Sequence, residues 1–152
     1  MAQRCPSFAS QAYPLPEEIS DEEATFLDPI IAALHAVDVG RPKPLDRVAI
    51  LGAGPIGLLI AQLVKVYGAV ETFITDVAHE NLTVAQALGV EHPLNVSDSG
   101  VALEAMAMAT THGLGVDLVF NTVGTTESIL ESLRILKKGG SQVLLATKEP
   151  EI

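Results

Sequence analysis

Cysteine, tryptophan and basic side chains are the scarce residues of this 152-residue chain. The single Cys5 excludes an internal disulfide and any cysteine-built zinc cluster, and points to a reducing compartment. Lys and Arg number 9 against 19 Asp and Glu, a formal net charge of −10, so no basic groove is available for DNA or RNA. The excess is spread as −5 in residues 1–46 and −5 in residues 47–152, without a charged tail. Only 18% of residues are charged against 48% hydrophobic, which excludes a disordered acidic chain and a coiled coil. The first twelve residues lack the charged, apolar and small-residue succession of a secretory signal. The longest uncharged run, Val48 to Val64, has 17 residues and is broken by Gly52, Gly54, Pro55 and Gly57. It falls short of the roughly 20 apolar residues of a membrane span. These absences imply a soluble, cytoplasmic chain with no membrane or nucleic-acid partner, and the length suits one domain with a real core.

The order along the chain is informative. Residues 1–19 contain Pro6, Pro14 and Pro16 without a hydrophobic period and are expected to be an extended lead-in. Ser20 and Glu23 form an S-x-x-E capping box, and Phe26, Leu27, Ile30, Ile31, Leu34 and Val37 follow at helical spacing. The pattern predicts a long helix from Asp21 to Val39, stopped by Gly40 and Pro42; Pro29 either kinks it or opens a second helix capped by Asp28. Five apolar runs come next: Val48–Leu51, Thr72–Thr75, Leu94–Val96, Leu118–Phe120 and Val143–Ala146. Four amphipathic segments separate them, with faces Ile56/Leu59/Ile60/Leu63/Val64/Tyr67, Leu82/Ala85/Leu88, Leu103/Met106/Ala107/Thr110 and Ile129/Leu130/Leu133/Leu136. Gly68, Gly89 and Gly139 are read as helix ends. Strands apolar on both faces, alternating with helices, predict a doubly wound α/β fold with a parallel sheet of about five strands, over residues 20–152.

The sharpest motif is Gly52-Ala53-Gly54-Pro55-Ile56-Gly57, directly after the first strand and opening a helix. In that position Gly52 permits the tight turn, Gly54 lets a pyrophosphate approach the backbone, and Gly57 lets the helix pack against the strand. Pro55 suits the first helical position, and the free amides led by Ile56 face an anion. Without a ligand the same residues would be only a glycine-rich connection. Asp76 ends the second strand 19 residues past Gly57, where a dinucleotide fold places the acid that binds the adenine ribose. A carboxylate followed by Val77 favours NAD over NADP; otherwise Asp76 is an ordinary turn residue. Asn121-Thr122-Val123-Gly124, at the end of the fourth strand, either touches the cofactor or is a turn preceding a helix capped by Thr125 or Thr126. The candidate cofactor-binding set is Gly52, Gly54, Pro55, Ile56, Gly57, Asp76, Val123, Gly124 and Thr147.

The runs Leu15-Pro-Glu-Glu-Ile-Ser-Asp-Glu-Glu-Ala-Thr, Leu27-Asp-Pro, Leu34-His-Ala and Val48 to Leu58 resemble the coenzyme half of zinc-containing medium-chain dehydrogenases. Ala87-Leu-Gly-Val-Glu-His, Gly115-Val-Asp-Leu-Val-Phe and Leu136-Lys-Lys-Gly-Gly extend the likeness, in the flavour of the sorbitol and threonine dehydrogenase branch, to most of Leu15–Thr147. The resemblance implies a Rossmann domain of an NAD-dependent alcohol or polyol dehydrogenase, with zinc as Lewis acid. It also implies a GroES-like catalytic domain whose Cys and His ligands are not in this chain, so the isolated chain is expected to be inactive and to hold no catalytic zinc. Asp28 matches the acidic residue of the family's Glu-Pro or Asp-Pro metal motif, but for this chain a cap of the helix at Pro29 describes it better than a ligand role. Asn81 stands where relatives carry a ribose-binding Lys or Arg, and Asn121 where many carry an acid, which implies weaker cofactor binding. His35 matches a family motif and is expected as a packed helical histidine.

A second class of function, a nucleotide-sensing or interaction module without redox chemistry, uses the same fold. In either case the strand Val143–Ala146 is expected to be an exposed sheet edge and a route to homo-oligomers.

Overall fold

The computed structural model describes residues 12–98 and 102–146, together with Pro6, Phe8 and Ser10. Ser20 opens the first helix, α1 (Asp21–Ala24): its hydroxyl accepts from the Glu23 amide at 3.2 Å while the Glu23 carboxylate accepts from the Ser20 amide at 2.9 Å. This is the reciprocal pair the sequence predicts. The single helix to Val39 is not found. The chain turns at Thr25 and Phe26, and a second helix, α2 (Leu27–Gly40), begins behind an uncapped Phe26. Asp28 and Pro29 lie within the first turn of α2, where proline's missing amide costs nothing, so Asp28 is not the cap. At the far end Arg41 takes the left-handed conformation (φ 50°), and Gly40 is the last helical residue. Gly40 serves packing instead: a β-carbon there would lie 2.7 Å from the ring of buried Phe120.

Strands and helices then alternate: β1 (Arg47–Leu51), α3 (Pro55–Val66), β2 (Glu71–Asp76), α4 (His79–Ala87), β3 (His92–Asn95), α5 (Leu103–Thr110), β4 (Val116–Asn121), α6 (Thr126–Ile135) and β5 (Leu136–Leu144). All five strands are parallel in the order β3-β2-β1-β4-β5. The strand residues alternate between two cores. Val48 and Ile50 of β1, Ile74 of β2, and Leu118 and Phe120 of β4 pack with α2, α3 and α4. Ala49 and Leu51 of β1, Phe73 of β2 and Val119 of β4 pack with α5 and α6. The sheet is therefore covered on both faces, as strands apolar on both sides require. Leu51 sits opposite Thr75 on one side and Asn121 on the other. The carboxyl ends of β1, β2 and β4 thus finish level, and the strand order reverses between β1 and β4.

Two expectations fail in the last crossover. Gly139 (φ 78°) does not end a helix; it lies inside β5, where the pairing slips from Val116–Leu136 to Leu118–Ser141. Such a bulge needs a residue free to adopt positive φ. The inward face of α6 is also not the leucine stripe. Ser128, Ser132 and Ile135 are buried, while Leu130 and Leu133 are 48% and 58% exposed. The cause is Asn121, fully buried at the end of β4, whose amide donates to Ser128 Oγ (3.1 Å) and Ser132 Oγ (3.3 Å). An unpaired buried amide is costly, so the helix turns its two serines inward. Leu133→Gln should therefore change unfolding free energy by less than about 0.5 kcal/mol, whereas Ile135→Ala should cost about 2–5 kcal/mol in urea denaturation.

Candidate functional site: the glycine loop and its two clefts

The loop between β1 and α3 is held from three sides. The Gly52 amide donates to the Thr75 carbonyl of β2 (2.9 Å), and both the amide and the hydroxyl of Thr122, beyond β4, donate to the Leu51 carbonyl (2.9 and 2.8 Å). Gly52 has φ 99°, and a side chain there would strike Thr122 Oγ1. A β-carbon on Gly57 would lie 2.0 Å from the Gly52 carbonyl oxygen, so only glycine lets the helix start this close to the turn. Gly54 is different: its β-carbon would meet nothing within 4 Å. The backbone is open on that side. Helix α3 begins at Pro55 with no side-chain cap, and the Ile56 and Gly57 amides have no acceptor among the described residues. Unpaired amides at the positive end of a helix, beside open space, make a place for an anion.

Asp76 closes the loop against β2. One carboxylate oxygen accepts from the Ala53 amide at 2.7 Å and from the Asn81 side chain at 3.3 Å; the other accepts from the Ala78 amide at 2.9 Å. Burial opposes its ionisation, but these donors outweigh burial and hold the carboxyl below its ordinary range. Oxygen Oδ1 keeps acceptor capacity for a ligand hydroxyl.

Two clefts flank the loop. The larger, about 560 Å³, opens on the β2 side between α5 and α6, and Gly52, Asp76, Val77, Val96 and Val123 line it. The smaller, about 370 Å³, opens on the β5 side between α2 and β5, with Ile56 at its edge and an apolar lining of Ala32, Ala36, Val39, Val143, Leu144 and Leu145. His35 also lines this second cleft. It is exposed, not packed, because the inward side of α2 carries Ala33, Ala36 and Val37.

The turn after β4 combines both readings of its sequence. Asn121 Oδ1 accepts from the Val123 and Gly124 amides (3.1 and 3.0 Å), and the Thr125 hydroxyl caps α6 by accepting from the Ser128 amide at 3.2 Å. Asn121 and Gly124 are thus buried structural residues, while Val123 reaches the larger cleft. Thr147 lies outside the described residues. Asp28 is exposed on α2, and no group of three or more His, Cys, Asp or Glu among the described residues could hold a metal ion. Zinc needs about three or four protein ligands, so this donor set does not fit it.

Sequence reading missed the acidic wall of the larger cleft. Glu104 on α5 and Glu127, Glu131 and Arg134 on α6 line it. The i, i+4, i+7 spacing of the last three was a legible signal of one shared helix face. At Glu131 burial raises the carboxyl above its ordinary range, Arg134 opposes the rise, and Glu104 adds to it.

The family model described as zinc-binding dehydrogenase matches residues 55–152. The chain belongs to the zinc-binding dehydrogenase family. Among curated proteins, D-xylulose reductase of Saccharomyces cerevisiae is 30% identical over 142 residues, covering 92% of the chain and 40% of that protein. Sorbitol dehydrogenase of Bacillus subtilis is 28% identical, covering 86% of the chain and 36% of its own length. A solved dehydrogenase structure from Sinorhizobium meliloti 1021, bound to NADP, superposes with a TM-score of 0.82 at 31% identity, covering 94% of the chain and 43% of the neighbour. The chain thus spans about two fifths of the length of these dehydrogenases. The five-stranded parallel sheet and the N-terminal helix agree with the resemblance drawn from the motifs.

Within this dehydrogenase fold the roles of Gly54 and Gly57 separate experimentally. Gly54→Ala should leave the urea midpoint near wild type, since nothing crowds its β-carbon, yet lower dinucleotide affinity at least roughly tenfold by filling the anion's space. Gly57→Ala should destabilise the fold itself, by about 2 kcal/mol or more, because the added carbon overlaps a backbone carbonyl. Paired denaturation and calorimetric titrations distinguish the two effects.

Proposed function

We propose that the chain is the NAD(H)-binding part of a dehydrogenase acting on an alcohol or polyol. The observation that carries this reading is the open backbone at Gly54 beside the free Ile56 and Gly57 amides, with a cleft on each side. A dinucleotide has the same layout, a central pyrophosphate flanked by two nucleosides. Its pyrophosphate would rest on the amides at the start of α3, and its adenine ribose would donate to Asp76. The adenine would enter between Val77 and Val123, and the nicotinamide side would face Ile56 and Leu145. When bound, the nicotinamide supplies the hydride acceptor. The residues of this chain orient it: the two glycines set the loop, Asp76 fixes the ribose, and the apolar walls exclude water.

NAD is favoured over NADP because the Asp76 carboxyl is held below its ordinary range and makes no ion pair with a cation among the described residues; Val77 follows it, and Asn81 spends its amide on the same carboxylate. In a longer protein, catalytic zinc would draw its ligands from beyond the residues described, with Asp28 a candidate contributor. Alcohol or polyol substrates are inferred from the relatives, and a cytoplasmic setting from the lone Cys5. Titration of the chain with NADH should give a fluorescence or calorimetric signal at or below millimolar concentration; a silent titration would refute the cofactor role. Asp76→Ala should weaken NADH binding and narrow the discrimination against NADPH.

We further infer self-association through β5, which pairs only with β4 and leaves its other edge open among the described residues, with Leu144 41% exposed. Sedimentation velocity at high protein concentration should show a dimer or larger species, and a persistent monomer would exclude this.

A further inference from the structure

The β2-side cleft carries more negative charge than ribose binding needs. Glu104, Glu127 and Glu131 share its lining with Asp76 against one cation, Arg134, a net charge of −3 at neutral pH. None of the three glutamates, nor Arg134, makes a hydrogen bond or ion pair with another described residue. Arg134 offsets part of the charge at Glu131, and the remaining excess stays negative. We propose that these glutamates act with Asp76 as a distributed electrostatic filter against the 2′-phosphate of NADP, so that cofactor choice is set by the whole cleft.

This inference rests on the cofactor reading above. A compact cleft of about 560 Å³ is roughly 10 Å across, of the same order as the ~8 Å screening length at physiological ionic strength. Its walls include Leu51, Val77, Val96 and Val123, low-dielectric surfaces that concentrate the field of the carboxylates. The phosphate monoester of NADP would bring roughly −1.5 to −2 further charges into that space, whereas the ribose hydroxyl of NAD brings none. The pyrophosphate, common to both, lies over the amides of α3 and is compensated there. At Glu131 it is burial that raises the carboxyl; Arg134 lowers it by more than Glu104 raises it, so Arg134 is the cation against which the three glutamates are balanced.

The test is direct binding of NADH and NADPH to the full chain, wild type and a Glu104→Gln/Glu127→Gln/Glu131→Gln variant, at low and near-physiological salt. All three side chains reach solvent and make no side-chain hydrogen bond or ion pair among the described residues, so the variant should fold with a thermal midpoint close to wild type. NADPH affinity should rise at least roughly fivefold more than NADH affinity in the variant, and wild-type discrimination should shrink as salt screens the field. A variant that binds NADH but keeps the wild-type NADH to NADPH ratio within about twofold would overturn the filter and leave the cofactor reading standing. Complete loss of discrimination in Asp76→Ala alone would overturn it too. Absence of binding by either dinucleotide, in wild type and variant alike, would refute the cofactor reading and the filter together.

Discussion

The Gly52 carbonyl oxygen occupies the place where any other residue at position 57 would put its β-carbon, and the crevice is built outward from that approach. Because α3 can begin so close to the end of β1, its first amides point into open space and not into a neighbouring chain segment. The turn that brings this about is held by β2, through Gly52 and Thr75 and through Ala53 and Asp76, and by Thr122 beyond β4. Three consecutive parts of the sheet thus converge on one loop. Backbone groups spent on this bracing are unavailable to a ligand, which leaves the amides of Gly54, Ile56 and Gly57 without an acceptor among the described residues.

Asp76 is a structural carboxylate first, and the proposed cofactor site asks it to serve recognition as well. Its bond to Ala53 ties the loop to the second strand, and its bonds to Ala78 and Asn81 fix its own orientation. The same donors keep it ionised despite partial burial. In the proposed cofactor site a ligand hydroxyl would meet an acceptor already aligned, with little entropy left to lose. Asn81 supports that acid with its side-chain amide.

On the other wall, a buried polar cluster shapes the site without entering it. Asn121 holds the Val123–Gly124 turn with its carbonyl oxygen and two α6 serines with its amide. Satisfying that residue rotates α6, which places Leu130 and Leu133 in solvent and brings Glu127, Glu131 and Arg134 to the cleft. The charge of the cleft and the orientation of the helix are consequences of the same buried amide.

The glycine fingerprint, the spacing to Asp76 and the alternation of apolar runs with amphipathic segments were legible in sequence because each is a local requirement: a turn, a close approach, a two-sided strand. The end of α2 beside Gly40 and Pro42 was legible to within one residue, but the break at Thr25 and Phe26 was not, since neither proline nor glycine lies there. Gly139 was misread because a left-handed glycine ends a helix or relieves a bulge with the same residue, and only the slip against β4 tells them apart. The stripe Leu130/Leu133 was misread because periodicity gives a helix two possible inward faces, and the partner at Asn121 chose the serines. Sequence alone determined that this chain forms a parallel sheet with a dinucleotide-type loop. Tertiary structure decided which side chains share the cleft, because α5 and α6 meet there only through a strand order that sets β1 beside β4, far from it in the chain.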